Sequence, residues 1–131
     1  MMGDISTNFS YREFNCKDGT PVPANLKPNI KRLVVEVLQP LRDYFKRAIH
    51  ITSGYRTPAY NAACGGVKNS QHLLGTAADI QIEGLKPSET QNIVRGFMIA
   101  RNKGGGVGWY RSFTHVDIRP GKEVIFWDKR K

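Results

Sequence analysis

Apolar positions in the first third of the chain recur at helical spacing. Leu26, Ile30, Leu33, Val34, Val37, Leu38, Leu41 and Phe45 form a stripe that turns one helix face toward a core. Pro40 interrupts the stripe; it has no N–H to donate and crowds the preceding turn, so the helix is predicted to kink or divide there. Upstream, "FSYREF" reads as a short entry and "CKDGTPVP" as a run of turns. Downstream the period changes. "AIHITSGYR" alternates and is rich in β-branched residues, which predicts the first strand. "TPAYNAAC" offers a threonine cap followed by proline, hence a short helix, and "GGVKNSQH" reads as loop. "TAADIQI" is a second strand and "KPSETQNIVRGFMIARN" a second amphipathic helix. "GGGVGWY", "THVDIRP" and "EVIFW" are three further strands joined by tight turns. Helix first, strands afterwards and no βαβ alternation predict an α+β fold, one domain over residues 1–131, with a central antiparallel sheet and flanking helices.

Composition narrows the partners. A chain of 131 residues with 40% hydrophobic and 24% charged content is large enough for one real core and is not disordered. Lys and Arg number 20 against 11 Asp and Glu, a net charge of +9. Such a surplus suits nucleic acid, an anionic membrane or the anionic polymers of a bacterial wall, or simply a solvated surface. The basic residues are scattered (Lys31, Arg32, Arg42, Lys46, Arg47, then Lys129, Arg130 and Lys131) and no nucleic-acid module is present, so nucleic acid is not an expected partner. Cys16 and Cys64 cannot build a disulfide framework and read as small packed residues. No apolar run approaches the ~20 residues of a membrane span. The opening "MMGDISTNFSYREF" lacks the charged and apolar regions of a signal peptide. The expectation is a monomeric domain made in the cytoplasm.

Chemistry concentrates in two stretches. "NSQHLLGTAAD" sets His72 and Asp79 seven residues apart among small and apolar neighbours, where polar heads are costly unless something pairs with them. "FTHVD" sets His115 and Asp117 two apart on a strand, so their side chains share a face. If that face looks toward Asp79, then His72, Asp79 and His115 converge. Two imidazoles and a carboxylate would make a three-ligand zinc set of the catalytic kind. On spacing alone the alternative stays open, that these are ordinary packed or surface histidines.

"SGYR" at Ser53 to Arg56, S-x-H-x-x-G-x-A-x-D at Ser70 to Asp79, and H-x-D at His115 to Asp117 together resemble the M15 peptidases. These are zinc D-Ala-D-Ala carboxypeptidases with related murein endopeptidases, phage endolysins and vancomycin-resistance dipeptidases. The likeness runs in order from about residue 25 to about residue 119. It implies a compact α+β zinc-peptidase fold and Zn²⁺ held by His72, Asp79 and His115. It further implies hydrolysis of a peptide bond involving D-amino acids, with a peptidoglycan peptide as substrate. The family places an arginine at the position of Arg56, near the scissile carbonyl, where it could stabilise an oxyanion or hold a substrate carboxylate. Ser70 either caps its local turn or hydrogen-bonds the substrate. Gly75 and Ala77 leave room for close backbone approach.

One position departs from the family. Several members carry a glutamate as general base three residues before the last histidine, and Ser112 stands there. Asp117 is then the nearest carboxylate to act as base, or else it orients His115 or pairs with Arg119; Glu83 and Glu89 are further candidates. His50 reads as structural, and Tyr55, Trp109 and Tyr110 as core or as the border of a groove. The leading expectation is a wall peptidase, carboxypeptidase or endopeptidase, which as a phage or prophage lysin would need no signal because lysis or a holin releases it. The alternative is a non-catalytic wall-binding or phage structural module of the same fold. A nucleic-acid-binding domain has only the charge behind it.

Overall fold

The computed structural model describes residues 3–130; Met1, Met2 and Lys131, the last of the C-terminal basic run, lie outside them. The N-terminal apolar stripe folds as α1 (Lys27–Leu33), a π-helical turn (Val34–Leu38) and α2 (Gln39–Phe45). The division predicted at Pro40 is therefore a widened turn just ahead of it. Pro40 cannot donate to the carbonyl one turn back, and the extra residue relieves the crowding of its ring. Ile30, Leu33, Val34, Val37, Leu38 and Leu41 are all buried.

The remaining elements are β1 (Ile49–Ser53), α3 (Pro58–Ala63), β2 (Ala77–Ile82), α4 (Pro87–Arg101), β3 (Gly106–Trp109), β4 (Thr114–Asp117) and β5 (Ile125–Asp128). The Thr57 hydroxyl accepts from the Tyr60 N–H at 3.1 Å and caps α3, as the sequence predicts. The expected loop before β2 closes with a short 3₁₀ turn, Gln71–Leu74, which carries His72. The strands form one sheet in the order β1-β2-β4-β3-β5.

Three strand pairs are antiparallel, but β5 runs parallel to β3, so the sheet is mixed. The reason is local. Both edges of β4 are already taken by β2 and β3, and β4 ends beside the start of β3, where Gly106 pairs with Asp117. Residues 118–124 need only pass that end to reach the free edge of β3, which sets β5 going the same way.

The alternation along β2 gives the sheet two faces. Ala78, Ile80 and Ile82 enter the hydrophobic core together with Val107 of β3, Val116 of β4 and Val94 and Met98 of α4. Asp79, His115, Gly106, Gly108 and Trp127 belong to the opposite face. In β1 the register slips between Ile51 and Ser53, a bulge that sets Ser53 opposite Asp79. Among the described residues no helix is long and apolar enough to cross a membrane.

Candidate metal centre

One rung of the sheet carries the site. Ser53, Asp79, His115, Gly108 and Trp127 are successive partners across all five strands. His72 reaches the same place from the 3₁₀ turn above β2. Ser70 caps that turn by accepting the His72 N–H at 3.1 Å. Gly75 ends it in the left-handed region (φ +73°), where an added Cβ would also crowd Ile30 and Leu26. The seven-residue spacing of His72 and Asp79 thus bridges the turn and the strand.

The hydrogen bonds behind each imidazole fix its tautomer. His72 Nδ1 lies 2.7 Å from the Gly54 carbonyl oxygen. A carbonyl only accepts, so Nδ1 carries the proton and Nε2 is the atom that bears the lone pair of the neutral tautomer. That atom faces Asp79 Oδ1 at 3.2 Å. His115 Nε2 lies 2.7 Å from Asp117 Oδ2 and is likewise the protonated nitrogen, which turns Nδ1 toward the same Asp79 oxygen at 3.2 Å. Two lone pairs and a carboxylate therefore converge, an arrangement that repels itself unless a cation or extra protons stand between. All three candidate ligand atoms lie within 4.8 Å of one another and all three residues are buried. The 3.2 Å spacings are close to the edge, about 3.3–3.6 Å, of a tetrahedron with zinc–ligand bonds of roughly 2.0–2.2 Å. The donor set fits zinc.

Charge follows the same pattern. Burial would raise the Asp79 pKa, but the hydrogen bonds to His115 and His72 outweigh it and hold this carboxyl well below the usual range. Burial disfavours a charged His115, yet Asp117 and Asp79 on either side outweigh that and raise its pKa.

Asp117 is turned behind His115. It is 0% exposed, and both oxygens are engaged. Oδ2 accepts from His115 Nε2 and from Arg119 Nη2 at 2.6 Å; Oδ1 accepts from the Arg119 backbone N–H at 3.0 Å and from Arg119 Nε at 2.9 Å. Burial would raise its pKa, but His115 and Arg119 hold the carboxyl well below the usual range. A Cβ on Gly106 would lie 2.6 Å from Asp117 Oδ2, so the pair fits because that residue is glycine. Arg56 lies on the other side of the centre. It donates to Asp79 Oδ2 at 3.2 Å, to Asn61 Oδ1 at 3.2 Å and to Ser53 Oγ at 3.2 Å, the serine that the bulge re-aims.

His72, Asp79, His115, Arg56 and Ser70 line one cleft of about 660 Å³. Its far wall joins Tyr110, a groove candidate in the sequence, to Phe113 and Trp127, which the sequence did not single out. Trp127 packs over His115 with ring centroids 5.1 Å apart. It reaches there across Gly108, where a Cβ would sit 2.4 Å from the indole Nε1. That nitrogen donates to Tyr110 Oη at 3.1 Å, and Tyr110 stacks on Phe113 at 4.5 Å. The signal was the alternation of glycines at positions 106 and 108, which bares one face of β3 to its neighbours on both sides. Tyr110 thus borders the groove. Tyr55 is buried in the core, and Trp109 is not part of the cleft.

The other candidates lie elsewhere. Ser112, at the family's base position, lines a different surface hollow with His50 and Glu83, which face each other at 3.9 Å. Glu89 accepts from the Lys86 N–H at 2.8 Å at the start of α4. Cys16 is buried, Cys64 is exposed beside the cleft, and both are free.

Comparison with known proteins adds two findings. The family model described as Peptidase M15 matches residues 7–117. A probable peptidoglycan L,D-endopeptidase of Haemophilus influenzae, MepK, is 33% identical over 79 residues, covering 55% of this chain. The match extends over only 40% of that relative's length.

Proposed function

The chain belongs to the peptidase M15 family, and on that basis we propose that it hydrolyses a peptide bond involving D-amino acids in bacterial peptidoglycan, with zinc held by His72, Asp79 and His115. The observation that carries this reading is the pair of tautomer-locked imidazoles facing one carboxylate at 3.2 Å inside a cleft. Bound zinc would polarise the scissile carbonyl and bring the ionisation of water down toward about pH 7.

The remaining roles fall to the chain itself. Gly54 and Asp117 orient the two imidazoles from behind, and Arg119 keeps Asp117 charged and in place. Asp117 is then a positioning residue, because its oxygens are occupied and it does not line the cleft. Arg56 steadies Asp79 and offers a guanidinium beside the reacting carbonyl, suited to the charge that develops on its oxygen. Arg56, Arg119 and Lys129 make the lining cationic, which suits the carboxylates of a wall peptide. Likeness to a named endopeptidase favours cleavage within the peptide over trimming of its end.

The test is metal content measured alongside hydrolysis of purified peptidoglycan. One zinc per chain and peptide release are expected, both lost in His115→Ala. Stoichiometric zinc retained by that variant would overturn the ligand assignment, and a zinc-loaded wild type inert on peptidoglycan would overturn the substrate.

A further inference from the structure

The far wall of the cleft holds a hydroxyl whose proton is unclaimed. An indole N–H only donates, so the 3.1 Å contact from Trp127 Nε1 makes Tyr110 Oη the acceptor. The phenol keeps one proton to give, and among the described residues no acceptor for it is found. The ring is held in place. It lies nearly parallel to Phe113, at 12° and 4.5 Å, and the Tyr110 backbone N–H donates to the Phe113 carbonyl at 3.1 Å. Tyr110 and Trp127 line the same cleft as His72, Asp79 and His115.

The chemistry proposed above needs such a group. When a peptide C–N bond breaks, the departing nitrogen must gain a proton. Asp79 is the sole carboxylate among the described residues lining the cleft, and it is committed to the two imidazoles and Arg56. Arginine does not give up its proton, and Asp117 is shut behind His115. Lys129 also lines the cleft but is exposed, and among the described residues no contact holds its ammonium group in one place.

We infer that Tyr110 is the general acid of the reaction, donating its Oη proton to the leaving nitrogen of the scissile bond; this rests on the proposed peptidase function. The C–N electron pair passes to nitrogen, which takes the Tyr110 proton and departs as an amine. The water that adds its oxygen to the carbonyl carbon gives up the proton that restores the phenol. The Trp127 N–H stays bonded to Oη throughout, serving the oxygen before and after its proton leaves.

The test is Tyr110→Phe, which keeps the stack on Phe113 and removes only the hydroxyl. It is assayed on a peptide substrate and on the matching ester, in which oxygen replaces the leaving nitrogen. An alcohol leaves with far less help from an acid than an amine does. The expected result is turnover of the peptide lowered about 10²–10⁴-fold, with the ester lowered less than about tenfold. KM and one bound zinc per chain should persist. Trp127→Phe, which removes the N–H, should show the same selectivity to a smaller degree and serves as the second variant if Tyr110→Phe does not fold. Equal losses on peptide and ester, or peptide turnover unchanged, would overturn the inference. A selective loss in Lys129→Gln instead would move the role to Lys129. A wild type that cleaves neither substrate would sink the peptidase reading itself, and an active wild type with an unaffected Tyr110→Phe would sink this inference alone.

Discussion

Replacing Asp117 with asparagine separates a residue that holds His115 from one that takes a proton. The carboxylate receives four hydrogen bonds, two on each oxygen. An asparagine in the same place has one oxygen and one NH₂ group, so in either orientation two donors face a third donor. Hydrogen bonds to a charged group contribute about 1.5–3 kcal/mol each, so the loss of two would cost about 3–6 kcal/mol. The Arg119 side chain is 31% exposed and can turn partly to water, which reduces the expected destabilisation to about 2–4 kcal/mol. A domain with about 5–15 kcal/mol of stability still folds. The consequence for the centre is a loosened His115 and zinc affinity weakened by roughly 10–100-fold. Urea unfolding of the metal-free protein reads the first effect, and competition with a chromophoric chelator reads the second. Activity should return on adding zinc. Unchanged stability and zinc affinity, with turnover down about 10²–10⁴-fold and not restored by zinc, would make Asp117 the proton acceptor and refute this reasoning.

Three further outcomes are expected. Gly108→Ala places a Cβ 2.4 Å from Trp127 Nε1, so the indole must leave the cleft wall; stability should fall by about 1–3 kcal/mol and KM should rise while bound zinc stays at one per chain. Arg56→Gln should retain zinc and lose about 10²–10³-fold in kcat, the range seen when one donor to a developing oxyanion is removed; unchanged kcat would remove Arg56 from the chemistry. The net charge of +9 should give binding to intact anionic walls at low salt that weakens near 0.15 M, where the Debye length is about 8 Å. Binding indifferent to salt would assign wall affinity to the cleft instead.

The periodic parts of the fold were legible because burial imposes a period. The stripe from Leu26 to Phe45, the alternation in "TAADIQI" and the proline-opened α4 each identify an element that the structure contains. The direction of β5 was not legible, since it depends on which edge of the sheet is free once β2, β4 and β3 have paired. The group of His72, Asp79 and His115 could be suspected from residue types, but its convergence depends on strand register, which spacing alone does not fix. Asp117 shares a strand face with His115, as the two-residue spacing requires. Whether it turns toward the cleft or toward the imidazole was decided by Arg119 and by the missing side chain of Gly106. Tyr110 was legible as a possible groove border, but Trp127 was not, because the two come together only when β5 pairs with β3.

The most direct test of the central claim is mass spectrometry of the fragments released from purified peptidoglycan by the zinc-loaded protein. The account predicts products formed by adding one water across a peptide bond, with the glycan strand intact and release abolished in His72→Ala. Cleavage confined to glycosidic bonds, or peptide products undiminished in that variant, would contradict it.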